Sequence, residues 1–516
     1  ELNRGRDLYT ERTVWGVTGI LEHEIDDRWT LTSITGWREF GTHEEFDADG
    51  SRIYLFEFAE DAHGSQFSQE VRLNFDTGNR LTGFVGAGYF WEEGEQRAPV
   101  RTNEQVLWPF LSDLFRSGLI AGGVPAALAQ AAVPTLHPFV PQPTLPNSFA
   151  LFAHPALPEQ VQSLSALAGL PLQSYYEESY AYFGETSAFD VFADATYQVT
   201  ERFELSAGLR VTQEEIKAGY ESRNGPTPGR LGFILTGGST NNAFRPTPGR
   251  LQLRQDTTSW VARVAARHEF SRELNAFASI ARGRRPDSLS FSQVTLAPIV
   301  LDEEVVWHYE AGLKGYLPRI RGTYGVSAFY YDYSNFQTQA IPSVGVRTAT
   351  DAGSATGHGF ELNFQAAAGD HATLFTTYGF TDATFDDHDG DGQPQAFAGN
   401  TFRLTAKHTF SIGATVTLPL DSGRIFVTPV YHYKSGHYFE DDNASAGGTL
   451  YQRGFSLVNL RAGFHSHDGR WEITAYVDNL FDEDHLIDAG NTANAFGIPT
   501  FVAGHPRFYG ASATLR

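Results

Sequence analysis

The sequence predicts an all-β protein: a transmembrane antiparallel β-barrel of about 17 strands with long outer loops. Three observations carry the prediction. Apolar and polar residues alternate with a period of two in segment after segment, as strands with one apolar and one polar face require. Short polar turns alternate with long irregular loops, an asymmetry that a soluble sandwich has no reason to keep and a membrane barrel does. No uninterrupted apolar run reaches the roughly 18 residues of a membrane helix. Residues 119–136 come nearest, broken by Gly122, Gly123, Pro125, Gln130 and Pro134.

Alternation is clearest where Val71, Leu73 and Phe75 oppose Glu70, Arg72 and Asn74, and where Phe189, Val191, Ala193 and Tyr197 oppose Asp190, Asp194 and Gln198. It places strands at 13–24, 29–46, 66–75, 81–93, 187–199, 203–220, 257–270, 274–285 and 304–318. Further strands fall at 322–339, 356–367, 372–386, 401–418, 424–439, 453–466, 470–483 and 506–516. Many exceed the ~9–11 residues that cross the apolar layer, so they project beyond it. Short turns fall at 26–28, 77–79, 200–202, 271–273, 318–322, 369–371, 421–423 and 467–469. Aromatic groups near strand ends, Phe329, Tyr330, Tyr331 and Tyr333, and Tyr431, Tyr433, Tyr438 and Phe439, suit interfacial girdles.

Composition excludes several functions. With 61 acidic and 38 basic side chains the formal net charge is -23, opposed to nucleic-acid binding, which needs a basic face. Cys is absent, which removes disulfides, thiolate metal sites and a Cys nucleophile. No GxSxG, HExxH or phosphate-binding loop stands in a strand-to-helix context, so the chain does not read as an enzyme. Met is also absent and the first residue is Glu1, so the chain reads as part of a longer gene product or as one from which Met was lost. Turn direction agrees: the first strand runs inward, so an odd number of strands is expected upstream.

The chain resembles the TonB-dependent outer-membrane receptors of Gram-negative bacteria. The carrying segments are Ser68-Gln69-Glu70-Val71-Arg72-Leu73 with 83–93, Tyr309-Glu310-Ala311-Gly312-Leu313-Lys314, Gly359-Phe360-Glu361-Leu362 and 400–409. The most specific is terminal: Val477-Asp478-Asn479-Leu480-Phe481-Asp482 followed by Pro506-Arg507-Phe508-Tyr509-Gly510. The resemblance implies a barrel of about 22 strands, so residues 1–516 read as its last 17 or so, without the plug domain or the TonB-contacting segment. The family usually ends on an aromatic residue, whereas this chain stops at Arg516. The implied function is TonB-energised, high-affinity uptake of a large scarce solute (ferric siderophore, cobalamin, haem or oligosaccharide) across the outer membrane of a Gram-negative bacterium. A passive porin and a plugless surface or adhesion barrel are the alternatives. Implied partners are outer-membrane lipid and lipopolysaccharide, the chain's own plug, TonB and the transported ligand.

Candidate ligand contacts lie in the loops. The region 94–180 reads as a long extracellular loop or cap, with one amphipathic helix over 103–118 and another over 158–169, and serves as a lid or as a cap packed on itself. It contributes Trp108, Tyr175 and Tyr176. A near repeat, 226–231 and 246–251, sets Arg230 and Arg250 beside Pro-Gly turns, either as an anion clamp or as ordinary turn chemistry. Arg282, Arg284 and Arg285 form a basic knot suited to an anionic ligand or to lipopolysaccharide phosphate. Asp387, Asp389 and Asp391, with Asp386, partly follow calcium-loop spacing but lack the closing Glu, so a solvated acidic loop competes with an outer calcium site. Arg263 and Arg267, beside Glu269, are expected on the lumen face, contacting the wall's charge network or a plug.

Overall fold

The computed structural model describes residues 8–50, 53–138, 140–235, 239–343, 346–443, 450–490, 494 and 499–516. Seventeen strands form one antiparallel sheet, each paired with its neighbours in chain order. They begin with β1 (Tyr9–Asp26), β2 (Trp29–Asp47), β3 (Phe56–Asp76), β4 (Leu81–Thr102), β5 (Tyr176–Thr200) and β6 (Phe203–Arg223). Next come β7 (Leu251–Ser271), β8 (Leu274–Arg285), β9 (Glu304–Leu317), β10 (Gly322–Ser334), β11 (Ala355–Ala367) and β12 (Ala372–Phe385). The last are β13 (His408–Leu420), β14 (Gly423–Lys434), β15 (Phe455–Ser466), β16 (Trp471–Asp478) and β17 (Phe508–Leu515). Among the described residues β1 pairs only with β2, and β17 only with β16. No helix among them is long and apolar enough to cross a membrane.

All eight expected short turns lie at one end of the sheet. Gly369 and Gly469 take φ +73° and +70° there, a left-handed backbone that a side chain would strain. The other end carries the long connections and four short ribbons, such as Gln337–Ser343 against Val346–Asp351. By the loop rule for such barrels this second end is the outer one.

Several strand assignments needed correction. The strands β3, β4 and β5 run about ten residues, and β7 six residues, further outward than alternation of apolar residues suggested, so the cap begins after Thr102 rather than at 94, while β10, β14 and β16 end at Ser334, Lys434 and Asp478, before the expected 339, 439 and 483. The outer parts of the longer strands are rich in charge, which reads as loop, but the charges pair on one face: Arg97 with Glu95 at 3.0 Å, Lys217 with Glu185 at 2.9 Å, Arg254 with Glu215 at 2.7 Å. In the opposite direction, 401–407 is not a strand. Thr401 makes one bridge to Thr384, and regular pairing starts at His408.

The register from β2 through β6 into β7 is continuous over its membrane-crossing length, so each face keeps its identity. One row across the wall reads Val71, Ala87, Val191, Val211 and Trp260. Its members and Val264, Ile280 and Tyr309 face lipid; Val71 and Val191 are 42% and 48% exposed. The opposite face carries Arg72, Asp190, Asp194, Arg210 and Arg263. Aromatic rings close the apolar band at both levels. Trp37 stacks on Trp91 at 6.3 Å in the outer ring, and Trp29 meets Phe75 at 5.6 Å in the inner one. Trp29 and Trp37 are separated by roughly 27 Å along the strand at ~3.4 Å per residue, about 20 Å of height at a tilt of ~35–45°, which suits rings lying just inside the edges of a ~25 Å apolar band. Glu39 accepts from the indole N–H groups of Trp15 at 3.0 Å and Trp37 at 3.1 Å, which fixes the outer ring's depth.

Placing Lys at Val191 puts a cation near the middle of that band, at a cost of about 2–4 kcal/mol. Val191→Lys should lose most heat-modifiable barrel from outer-membrane fractions, whereas Gln198→Lys at the turn end should assemble normally; equal assembly would contradict the assigned faces.

Candidate ligand-binding mouth

The cap grows from the lumen face of the wall. Phe56, Phe58 and Val100, all buried, alternate with the outward-facing residues of β3 and β4 and join the cap's core. Helix α1 (Glu104–Ala121) starts where the Asn103 side chain accepts from Gln105 N at 3.1 Å and stops at Gly122-Gly123. Helix α2 (Ala126–Ala132), a 3-10 turn over Asn147–Ala153 and helix α3 (Glu159–Ser163) follow. Both expected helices are present, the second shortened to α3 and a 3-10 turn over Leu164–Leu167. Trp108 packs edge-on to Phe149 at 5.6 Å and to Phe115 at 5.9 Å, and Phe149 to Phe152 at 5.3 Å. This is the largest buried apolar cluster among the described residues.

Two buried carboxylates hold the cap to the loop after β6. Glu104, the first residue of α1, accepts from Gln173 N at 2.7 Å, Arg230 N at 2.6 Å and Asn242 Nδ2 at 2.9 Å. Glu178, on β5 beyond the outer ring, accepts from Asn242 N at 2.8 Å and from Ala243 N at 2.7 Å. Asn242 therefore joins cap, wall and loop, and Tyr176 closes the cluster by donating to Asn241 Oδ1 at 2.9 Å. On the outward face Arg101 gathers Glu57 at 2.6 Å, Glu177 at 2.9 Å and Glu45 at 3.5 Å. Removal from water raises the Glu178 carboxyl to about 7, against the lowering by its backbone donors.

The structure separates the expected ligand contacts. Trp108 and Tyr176 are 1% exposed and belong to the packing of cap and latch, not to a ligand surface, because their rings fill the space between cap and wall. Tyr175 is exposed and donates to Glu177 at 2.6 Å. The two arginines of the repeat do not form a clamp. The Arg230 backbone sits on Glu104, while Arg250 lies over the Phe183 ring at 3.3 Å in a cavity of about 500 Å³ that it shares with Lys217, Arg254 and Glu93. Part of the connecting loop, 236–238, lies outside the described residues. Arg284 pairs with Glu214 at 3.1 Å, and Arg285 donates to the carbonyl of Gln337 at 3.1 Å. Arg282 pairs with Glu303 at 2.9 Å and lies over Trp260 at 4.3 Å.

Asp387, Asp389 and Asp391 lie in a turn held by its own backbone. Asp389 Oδ1 accepts from the amides of Asp391 at 3.0 Å and Gln393 at 2.8 Å, and among the described residues no three acidic or His side chains converge for a metal. As expected, Arg263 holds Asp194 through two bonds, 2.8 and 2.9 Å, and Arg267 holds Glu204 at 3.0 Å. Strand parity corrects one girdle group. Tyr330 faces lipid, but Phe329, Tyr331 and Tyr333 alternate with it and face the lumen, where Phe329 and Tyr331 stack at 5.5 Å and 8°. Their i, i+2 spacing was the available signal.

A strand-paired wall with aromatic rings at two depths, a charged lumen and a packed cap defines the wall of a transmembrane β-barrel. The chain belongs to the TonB-dependent receptors: the family described as "TonB dependent receptor-like, beta-barrel" matches residues 151–480. The pesticin receptors of Yersinia enterocolitica and Yersinia pestis are 21% identical over 328 residues, 62% of this chain and 42% of theirs. The chain thus spans less than half the length of those relatives. The ferric yersiniabactin uptake receptor FyuA from Yersinia pestis superposes with a TM-score of 0.69 at 14% identity, over 99% of this chain and 62% of that one. The ferric-catecholate import receptor Fiu from E. coli K12 gives 0.61 at 17% identity, over 98% and 64%. The last two are named as an uptake receptor and an import receptor.

Glu104→Ala leaves three donors without their acceptor, at about 1–3 kcal/mol for each that stays buried. Faster proteolysis within 104–170 with an intact barrel is the expected result. Because the folded pKa of Glu178 exceeds its ordinary 4.5, its contribution to stability is complete below about 4.5 and lost as pH rises through about 7. Amide exchange at 242–244, corrected for intrinsic rates, should therefore be slower at pH 5 than at pH 8, and this difference should vanish in Glu178→Gln.

Proposed function

We propose that the complete protein lies in the outer membrane of a Gram-negative bacterium and takes up a large scarce solute of the ferric siderophore class, using energy passed through TonB to a plug inside this wall. The observation that carries the reading is the cap: a packed element of some seventy residues, set on the lumen face of β3–β5 and latched to the next loop, narrows the mouth as a selective receptor needs. The iron-carrying ligands named for FyuA and Fiu support the class of cargo. Charge pairs such as Arg263 with Asp194 give the lumen a polar lining that a plug could dock against.

A passive porin is the weaker reading, since a latched cap obstructs diffusion. Deleting the whole gene should lower siderophore-supported growth under iron restriction, and loss of TonB should produce the same defect. Uptake that persists at the wild-type rate without TonB would sink the proposal.

A further inference from the structure

Partway along β7 the wall loses a neighbour. The ladder of β7 with β8 ends at Ala262 opposite Arg282, whereas its ladder with β6 continues without a shift to Leu251 opposite Tyr220. Among the described residues, β7 from Leu251 to Val261 is therefore paired on one side only. In an antiparallel ladder the N–H and C=O of one residue point to the same neighbour, and successive residues alternate between neighbours. Glu269 N donates on the β6 side, to Arg202 O at 2.8 Å, and the Trp260 carbonyl on the other side accepts from Arg282. By that alternation Gln252, Arg254, Asp256 and Thr258 turn their backbone groups to the open side, where no backbone partner meets them among the described residues. The chain leaving β8 does not cover them. Asp287 accepts from Gln255 Nε2 at 2.7 Å and from the Thr257 hydroxyl, both on the lumen face. Further on, Gln293 donates to the Tyr182 hydroxyl at 2.9 Å and Phe291 meets the Tyr220 ring at 6.5 Å. The connection thus crosses behind β7 on the lumen side and leaves the edge open from outside.

Sheet edges are ordinarily blunted by proline, by a bulge, by shortness or by a covering loop. This one is long, has no proline from Leu251 to Ser271, and keeps its register with β6 unbroken to His268. It also stands clear of lipid. Trp260, edge-on to Trp307 at 6.2 Å, is the outermost aromatic residue of β7, and the outward-facing residues beyond it are polar. Free N–H and C=O groups repeating at every second residue match another extended polypeptide, a repeat that sugars and lipid headgroups lack. On the outer face beside the edge, Glu185, Glu215 and Asp256 outnumber Lys217 and Arg254. Arg254 is held by Glu215 at 2.7 Å, while Asp256, 3.5 Å from Arg254, remains exposed. A second copy does not fit the edge. Two copies in one membrane both send β7 inward, which denies them an antiparallel ladder, and strands tilted with the same hand cross where two barrels meet. We infer that the open edge of β7 docks an extended segment of a separate protein outside the cell, which adds a strand beside Leu251–Val261 and sets a basic side chain opposite Asp256. This interaction goes beyond the uptake reading and does not depend on it.

The test uses the whole gene product, purified as a heat-modifiable barrel. The probe is a pool of nine-residue peptides with Val at every second position and Thr, Lys or Glu at the others. Thr258→Pro removes an N–H that faces the open side, so the ladder with β6 keeps its bonds, as proline on an edge strand allows; Thr258→Val keeps the edge. The expected result is retention of Lys-bearing peptides by the wild type and by Thr258→Val. Retention should fall at least tenfold in Thr258→Pro, and equally when the alternate peptide amides that face β7 are N-methylated. Asp256→Lys should shift the preference from Lys-bearing to Glu-bearing members. The N-methylated peptides decide the matter on the unaltered protein should the proline variant not assemble. Undiminished binding of the N-methylated peptides, undiminished binding by assembled Thr258→Pro, or no binding of any member by the wild type overturns the docking edge. A preference that Asp256→Lys does not move overturns the basic partner. Since the chain has no Cys, Thr258→Cys gives it a single thiol. A disulfide-linked receptor dimer recovered from cells carrying that variant assigns the edge to a second copy and overturns the proposal.

Discussion

A backbone amide inside lipid has no water to turn to, so every N–H and C=O in the apolar band must be answered by a neighbouring strand. That demand makes the ladder register the controlling constraint of this molecule. From β2 to β6 pairing runs nearly from the turns to the loop ends, at 19 positions between β2 and β3 and 22 between β4 and β5, interrupted only outside the apolar band, at Ala59 and Glu60 of β3 and by a shift at Gln198–Thr200 of β5. Because side chains alternate strictly along such strands, one register decides three things together. It decides which residues meet lipid, which meet the lumen, and on which side of the wall the cap is built.

The cap shows how little the wall must add to hold a large loop. Its interior is ordinary apolar packing, centred on Trp108, Phe149 and Phe152. Its attachment is polar: Glu104 and Glu178 are desolvated, and both are answered by neutral donors that converge on Asn242. Polar clusters of this kind are specific because each unmade bond is costly. A cap attached only by apolar contact could slide, whereas this one has a single position against the loop.

Much of the wall was legible from alternation alone, since Val71, Val191 and their neighbours are apolar every second residue. The outer halves of β4 and β5 were not, because Glu93, Glu95, Arg97 and Arg101 look like a solvated loop until cross-strand partners are known. The two cap helices were readable from periodicity and from Asn103. The roles of Trp108 and Tyr176 were not, because an aromatic residue in a loop looks the same whether it meets a ligand or fills a core. Arg230 and Arg250 share a local motif, but turn chemistry repeats without bringing side chains together. The aromatic run from Phe329 to Tyr333 was visible as a cluster; only the strand's face assignment divides it between lipid and lumen.

Strand length has a further consequence. β5 has 25 residues, and the 13 from Tyr176 to Ala188 lie beyond the outer aromatic ring. At ~3.4 Å per residue and the usual tilt, they raise the rim on the order of 30–40 Å above the lipid. On the side of β2–β7 the wall therefore stands well above the apolar band, whereas β8–β17, with 8–14 residues each, do not. The cap is carried at that height on the lumen face of β3–β5, and the outer face at the same level is lined with ion pairs such as Lys217 with Glu185 and Arg254 with Glu215.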